Sequence, residues 1–372
     1  MPDREQSLTT DDWRLATDDC CTLYPVNVSD FDYHLPPELI AQVPPAERGA
    51  SRLLVLDRQT GGVEHAVVAD LPTFLRAGDL LVVNDTKVFP ARLLGHREGS
   101  GGAVECLLME HLGEDRWDAL MHPGQKLRVG ARVVFERSGR TLVAEVLERR
   151  FHGRRTIRLL AADGGEVREA IEAIGHVPLP PYIRRGDEPL DRERYQTVYA
   201  RSTGSVAAPT AGLHLTDRLL DALARHGVER VAITLHIGYG TFKPVRVETV
   251  EEHRVDPEHY DIVLAAADAI NRARAAGRRI VAVGTTTTRA LESAADDNGR
   301  VRSGERVTDL FLHPGARFRI VDVLLTNFHL PRSSLLMLVC AFAGRDRVLA
   351  AYADAIARGY RFYSYGDGML IE

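Results

Sequence analysis

Lysine is nearly missing from this chain of 372 residues. It occurs only at Lys87, Lys126 and Lys243, and arginine carries the rest of the positive charge. That bias reflects genome composition more than guanidinium chemistry and names no partner. Cysteine is equally scarce: Cys20 and Cys21 are adjacent, Cys106 and Cys340 far off. This spacing offers neither a disulfide framework nor a zinc site. No apolar run is long enough to span a bilayer. The opening residues lack the basic-then-apolar order of a secretory leader. There is no Gly-x-Gly-x-x-Gly loop and no Gly-Lys-Ser/Thr loop, so no dinucleotide or nucleoside-triphosphate reading follows. Nor is there an excess of positive charge. With 47 basic and 52 acidic residues the net charge is -5, which argues against a protein that coats nucleic acid indiscriminately. A local basic groove remains compatible with it. These absences predict a reduced, cytoplasmic protein without metal and without a membrane segment.

What is present is a globular composition, 45% hydrophobic and 27% charged, at a length suited to two or three domains. Residues 1–29 are acidic and polar without periodicity and are expected to be a disordered extension. From 91 to 160 the chain consists of short β-type runs (91–94, 103–109, 117–121, 131–136, 142–147 and 156–160) separated by Gly- and Pro-containing turns. This texture predicts a small antiparallel β-barrel. Residues 30–90 and 161–372 alternate strands with helices. Strands are expected at 53–57, 79–84, 231–236, 280–283 and 318–325, and helices at 216–226, 265–276, 286–295, 334–342 and 347–358. The expectation is an α/β fold: a mainly parallel sheet with helices on both faces, into which the barrel domain is inserted.

In such sheets ligands bind beyond the carboxyl ends of the strands, and five polar segments fall there. In Val281-Ala-Val-Gly284-Thr285-Thr286 a strand ends in glycine and threonines open a helix, a place suited to an anionic group. In Thr234-Leu-His236-Ile-Gly238-Tyr-Gly240-Thr241-Phe-Lys243 a strand delivers a histidine, and two glycines let the backbone approach a ligand. Ser205-Val-Ala-Ala-Pro209-Thr210-Ala-Gly212-Leu-His214 sets a histidine beside a helix start, where the cation is disfavoured and a neutral base results. The fourth segment runs from Thr326-Asn327 to Arg332, and the fifth from Asn84-Asp85-Thr86-Lys87 to Arg92. Asp85 and Lys87 are close enough in sequence to pair with each other. Each segment alone also reads as an ordinary capped turn; together they indicate an enzyme without naming its reaction.

The strings Asn84–Arg92, Tyr195–Ala200, Gly204–His214, His236–Val245, Gly284-Thr-Thr, Thr326–Pro331 and Tyr365–Ile371 resemble, in order, the S-adenosylmethionine:tRNA ribosyltransferase-isomerase family of queuosine biosynthesis. Departures are Thr287-Thr288 where Ser-Val is expected, Tyr239 between the two glycines, and Gly368 where Ala is expected. The resemblance implies an α/β domain with an inserted barrel. It also implies transfer of the ribosyl part of S-adenosylmethionine to 7-aminomethyl-7-deazaguanine at the tRNA wobble position, giving epoxyqueuosine with release of adenine and methionine. S-adenosylmethionine is then a co-substrate, with no permanently bound cofactor and no metal. The partner is tRNA, and the protein is expected to be a monomer. By this resemblance His214 and His236 divide the proton transfers, while Gly238, Gly240, Thr241, Gly284, Thr285 and Thr286 bind S-adenosylmethionine. Asp85, Lys87, Arg92, Lys243, Asn327 and Arg332 are candidates for contacts to tRNA or substrate. The alternatives are the same chemistry on a non-tRNA 7-deazaguanine or other small acceptor, and a non-catalytic RNA-binding module.

Overall fold

The computed structural model describes residues 26–372, Lys243 excepted. Strands are β1 (Arg52–Leu56), β2 (Val63–Val67), β3 (Leu80–Asn84), β4 (Thr86–Val88), β5 (Arg92–Arg97), β6 (Ala103–Gly113), β7 (Arg116–His122), β8 (Arg132–Arg137) and β9 (Arg140–Arg149). They continue as β10 (Arg154–Ala161), β11 (Ser202–Ser205), β12 (Glu229–Leu235), β13 (Glu258–Ile262), β14 (Ile280–Val283), β15 (Gly304–Thr308), β16 (Val323–Asn327) and β17 (Gly368–Ile371). Helices are α1 (Leu71–Phe74), α2 (Val167–Ile174), α3 (Asp191–Arg194), α4 (Asp217–Arg225), α5 (Leu264–Ala275), α6 (Thr285–Ala294), α7 (Ser334–Ala343) and α8 (Arg345–Ala357).

The apolar runs of β1, β3, β14 and β16 are buried throughout because the sheet is covered on both faces. Alternate side chains divide between two cores. Leu54, Leu80, Val82, Ile280, Ala282 and Leu324 pack with α5 to α8 on one face. Leu53, Leu81, Val83, Val281, Val283 and Leu325 pack with α1 and α4 on the other. The nine strands run in the order β15-β13-β12-β3-β14-β16-β17-β1-β2.

The expectation of a mainly parallel sheet is corrected here. β12, β3, β14 and β16 form a parallel centre, and β17 pairs parallel to β1. β17 runs antiparallel to β16, β2 folds back on β1, and β13 and β15 add an antiparallel margin. The sheet is therefore mixed; the connection from β1 to β2, residues 57–62, is too short for the crossover that parallel neighbours require.

A second correction concerns 318–325, where only Val323–Asn327 is strand. The buried carboxylate of Glu292 on α6 accepts from the backbone N–H of Arg319, Ile320 and Val321 at 2.7, 3.0 and 2.9 Å. Those donors are thereby withdrawn from any ladder.

Strands β5 to β10 close a barrel in the order β10-β7-β6-β5-β8-β9. Its core takes in Val167, Ala170, Ile171 and Ile174 from α2, which plugs the barrel. The chain enters at Pro90–Arg92 and leaves at Gly175–Val177, and Arg92 and His176 exchange backbone hydrogen bonds of 3.2 and 2.8 Å. Of the residues expected to form an extension, 1–25 lie outside the described residues. Val28 is buried, and its N–H donates to Glu248 O at 2.9 Å.

The joint of barrel and sheet depends on Gly175. A Cβ there would stand 2.1 Å from Pro90 O and 2.7 Å from Ile171 O, both backbone atoms. Gly175→Ala must therefore move one strand of the joint. We expect a loss of about 2 kcal/mol or more, read as a lower Tm, whereas an unchanged Tm means that the joint yields freely.

Candidate active site

The parallel strands deliver their carboxyl ends to one side of the sheet, and Asn84 sets the opening there. Its Oδ1 accepts from the N–H groups of Thr86 and Leu235 at 3.1 and 2.9 Å, and its Nδ2 donates to Leu235 O at 2.9 Å. Beyond the strand ends lie three cavities that share lining residues.

The smallest, about 330 Å³, is lined by Gly284, Thr285, Thr286, Asn327, His329 and Tyr363 among others. Gly284 leaves β14 at φ +91°, a conformation glycine adopts without strain. Thr287 and Thr288 turn their hydroxyls back onto Val283 O and Gly284 O at 2.7 and 3.1 Å. Among the described residues no side chain caps α6, which leaves its first N–H groups available to a ligand.

Opposite stands Asn327, buried at the end of β16. Its Nδ2 donates to Tyr363 O and to His214 Nε2, both at 3.1 Å. A carbonyl can only accept, so the amide orientation is settled, and His214 carries its proton on Nδ1. The ring is neutral, and burial pushes its pKa down to about 4. Asn327 Oδ1 and Tyr363 Oη, both buried, have no partner among the described residues. Tyr363 also holds φ at +74°, a strained conformation for a non-glycine residue.

The largest cavity, about 940 Å³, lies between sheet and barrel, with Leu120, Arg150, Phe151 and Arg154 on the barrel side and Arg289 on the sheet side. The third, about 590 Å³, has His236 beside Phe89 and Trp117. Residues 237–241 form the partition. Ile237 lines the small and third cavities, Thr241 the small and large, and Tyr239 and Gly240 the third and large. Glu258 on β13 anchors this partition. Its Oε1 accepts from Gly238 N–H at 3.1 Å and Thr241 Oγ1 at 3.3 Å, and its Oε2 from Arg289 Nη1 at 2.5 Å. Arg289 Nε donates to Leu310 O at 3.0 Å, while its buried Nη2 has no partner among the described residues.

His236 is half-buried, with Nδ1 2.8 Å from Thr86 Oγ1, which lies 2.8 Å from Ser205 Oγ. Burial, then the neighbouring His259, lowers its pKa, and Asp85 opposes the shift. The ring leans on Gly204, where a Cβ would stand 2.7 Å away. Glycine is required for that approach.

Of the residues singled out in the sequence, His236, Gly238, Gly240, Thr241, Gly284, Thr285, Thr286 and Asn327 line the three cavities. His214 stands behind Asn327 and does not line the small cavity. Asp85 is buried and bound by Arg201 and by Thr234 Oγ1 at 2.6 Å, not by Lys87. Lys87 is exposed on β4. Arg92 pairs with Glu105 at 2.7 Å, and Arg332 with Asp32 on the surface. Lys243 lies outside the described residues. The sequence reading missed Glu258, Arg289 and Tyr363. Arg289 carried a usable signal, as the one cation of a helix otherwise rich in small residues.

His214 and His329, the latter with its pKa pushed by burial to about 3, are held neutral below the ordinary value of 6.5. Between pH 6.5 and about 4 the unfolded chain binds protons that the folded chain refuses, so stability falls as pH falls. Each histidine is expected to cost about 2 kcal/mol at pH 5. Thermal unfolding of the wild type and of His329→Gln at pH 7 and pH 5 checks this. The variant should lose less stability on acidification, and equal losses contradict the argument.

Comparison with known proteins places the chain in a wider group. The family model described as queuosine biosynthesis protein matches residues 28–371. The S-adenosylmethionine:tRNA ribosyltransferase-isomerase of Symbiobacterium thermophilum is 53% identical over 346 residues, covering 93% of this chain and 100% of that protein. The protein of that name from Desulfitobacterium hafniense is 50% identical over the same shares. Among solved structures, the S-adenosylmethionine tRNA ribosyltransferase of Thermotoga maritima is 39% identical with a TM-score of 0.52. That match covers 92% of this chain and 100% of that one.

Proposed function

The chain belongs to the queuosine biosynthesis family of S-adenosylmethionine:tRNA ribosyltransferase-isomerases; from that premise we propose that it transfers the ribosyl part of S-adenosylmethionine to the aminomethyl group of 7-aminomethyl-7-deazaguanine at a tRNA wobble position. The product is epoxyqueuosine, with adenine and methionine released. The observation that carries this reading is the trail of buried polar atoms without partners among the described residues, Asn327 Oδ1, Tyr363 Oη and Arg289 Nη2, along cavities that share the partition. Buried polar groups left unpaired are costly. A ligand bearing ammonium, carboxylate, hydroxyls and ring nitrogens along its length can satisfy all of them.

In this reading the methionine end occupies the small cavity. Its carboxylate meets the N–H groups of Thr285 and Thr286, and its ammonium donates to Asn327 Oδ1. The ribose passes Thr241 at the partition, and the adenine meets Arg289 Nη2 in the large cavity. The 7-deazaguanine enters the third cavity beside Phe89 and Trp117. The sulfonium acidifies the adjacent ribose carbon, so a neutral base suffices to remove its proton. His236 supplies that base, with its ring oriented by Thr86 and its charge suppressed by burial. His214 acts through Asn327, as a positioning residue. The acceptor amine reacts in its neutral form.

Chromatography of adenine released from S-adenosylmethionine tests the reaction. Adenine should appear only with tRNA that carries 7-aminomethyl-7-deazaguanine. Its absence, from folded protein that binds S-adenosylmethionine, overturns the acceptor. His236→Ala should lower turnover ~10²-fold or more while calorimetry finds S-adenosylmethionine affinity nearly intact. Arg289→Lys keeps a cation for Glu258 but loses the second guanidinium arm. Its Kd for S-adenosylmethionine should rise about tenfold, and an unchanged Kd removes Arg289 from the binding site.

A further inference from the structure

Among the described residues, the exposed large apolar side chains are aliphatic with one exception. Phe151 is 85% exposed, on the turn Phe151–Gly153 that joins β9 to β10. The tip is braced from below. Gly153 turns at φ +85° over Leu120, whose Cδ1 would lie 3.2 Å from a Cβ there. Buried Arg155 donates to Leu127 O at 3.2 Å and to Gly124 O at 2.5 Å. Phe151 is thus presented outward by a built turn. It also lines the large cavity, in company with Arg150, Arg154, Arg246 and Arg254, and Arg149 is exposed beside it. Glu148 meets Arg150 at 3.4 Å, and Asp118 holds Arg154, so arginines still outnumber carboxylates around the tip.

We propose that Phe151 is a stacking platform for an unpaired nucleobase of the RNA acceptor, next to the base that reacts, with Arg149 and Arg150 on the flanking phosphates. A base that reacts inside a cavity must leave its stack, and its neighbours lose a face of contact when it does. An aromatic ring flanked by arginines replaces that contact without regard to sequence. The overall charge of -5 provides no general attraction for RNA, so attraction must be concentrated at such a place. This inference rests on the RNA acceptor of the preceding reading.

Because Phe151 contributes nothing to the core, its variants fold. Steady-state kinetics of the full chain compares Phe151→Ala and Phe151→Trp with the wild type. The alanine variant should raise KM for tRNA roughly 5- to 100-fold, with kcat and the KM for S-adenosylmethionine within about twofold, and tryptophan should restore binding. An anticodon stem-loop with 2-aminopurine beside the reacting position should be quenched by wild type and Phe151→Trp, not by Phe151→Ala. An unchanged tRNA KM overturns the proposal. A rise in the S-adenosylmethionine KM instead assigns Phe151 to the adenine and overturns it equally. Should wild type release no adenine with tRNA, the acceptor reading fails by itself, and the stem-loop fluorescence still decides the role of Phe151.

Discussion

A buried carboxylate must be answered by the protein, and Glu258 is answered from three directions. The amide of Gly238, the hydroxyl of Thr241 and the guanidinium of Arg289 converge on its two oxygens. Removing any of them leaves charge or hydrogen-bonding capacity uncompensated in a region of low dielectric. The consequence is geometric. A segment made of Gly, Tyr, Gly and Thr, which by composition should wander, is tied between β13 and α6. Because that segment is the partition of the cavities, their shapes are set by one buried ion pair. The same pair leaves Arg289 Nη2 without a partner among the described residues, at the wall of the large cavity.

The barrel supplies what the sheet cannot. A sheet with helices on both faces exposes only its strand ends, which form an open crevice rather than an enclosed site. The inserted barrel brings Trp117, Leu120 and Arg154 over that crevice and converts it into cavities with apolar walls. Polar atoms from the sheet then act in surroundings that strengthen electrostatic interactions. Insertion through two adjacent passages, at Pro90–Arg92 and Gly175–Val177, also keeps the two walls in register without a long linker.

Much of this was legible in the residues. Apolar runs such as Leu80-Leu-Val-Val read as strands because both faces of the sheet are covered. The short β runs read as a barrel because turns punctuate them at close intervals. The residues at the strand ends could be named because α/β sheets place ligands there. What could not be read depends on distant partners. The direction of β17 is decided by which strands it joins, not by its own composition. Residues 319–321 look extended, yet their N–H groups answer to Glu292 on a helix earlier in the chain. His214 and His236 look alike in sequence, and only the packing of Asn327 and Gly204 separates a buried support from a ring that meets a cavity. Glu258, the buried partner of Arg289, lies on β13, and nothing in either local sequence joins the two.

β17 also governs the order in which the molecule can be completed. It lies between β16 and β1 and follows every other strand in the chain. Until it arrives, the hairpin of β1 and β2 has no edge to join, although it is synthesised first. During translation the barrel closes as a local unit of neighbouring strands while the sheet stays open beside it. Until β17 emerges the nascent chain therefore carries an apolar strand, β1, with one edge open, the kind of edge that invites aggregation. For this fold the window of vulnerability on the ribosome is set by topology rather than by stability.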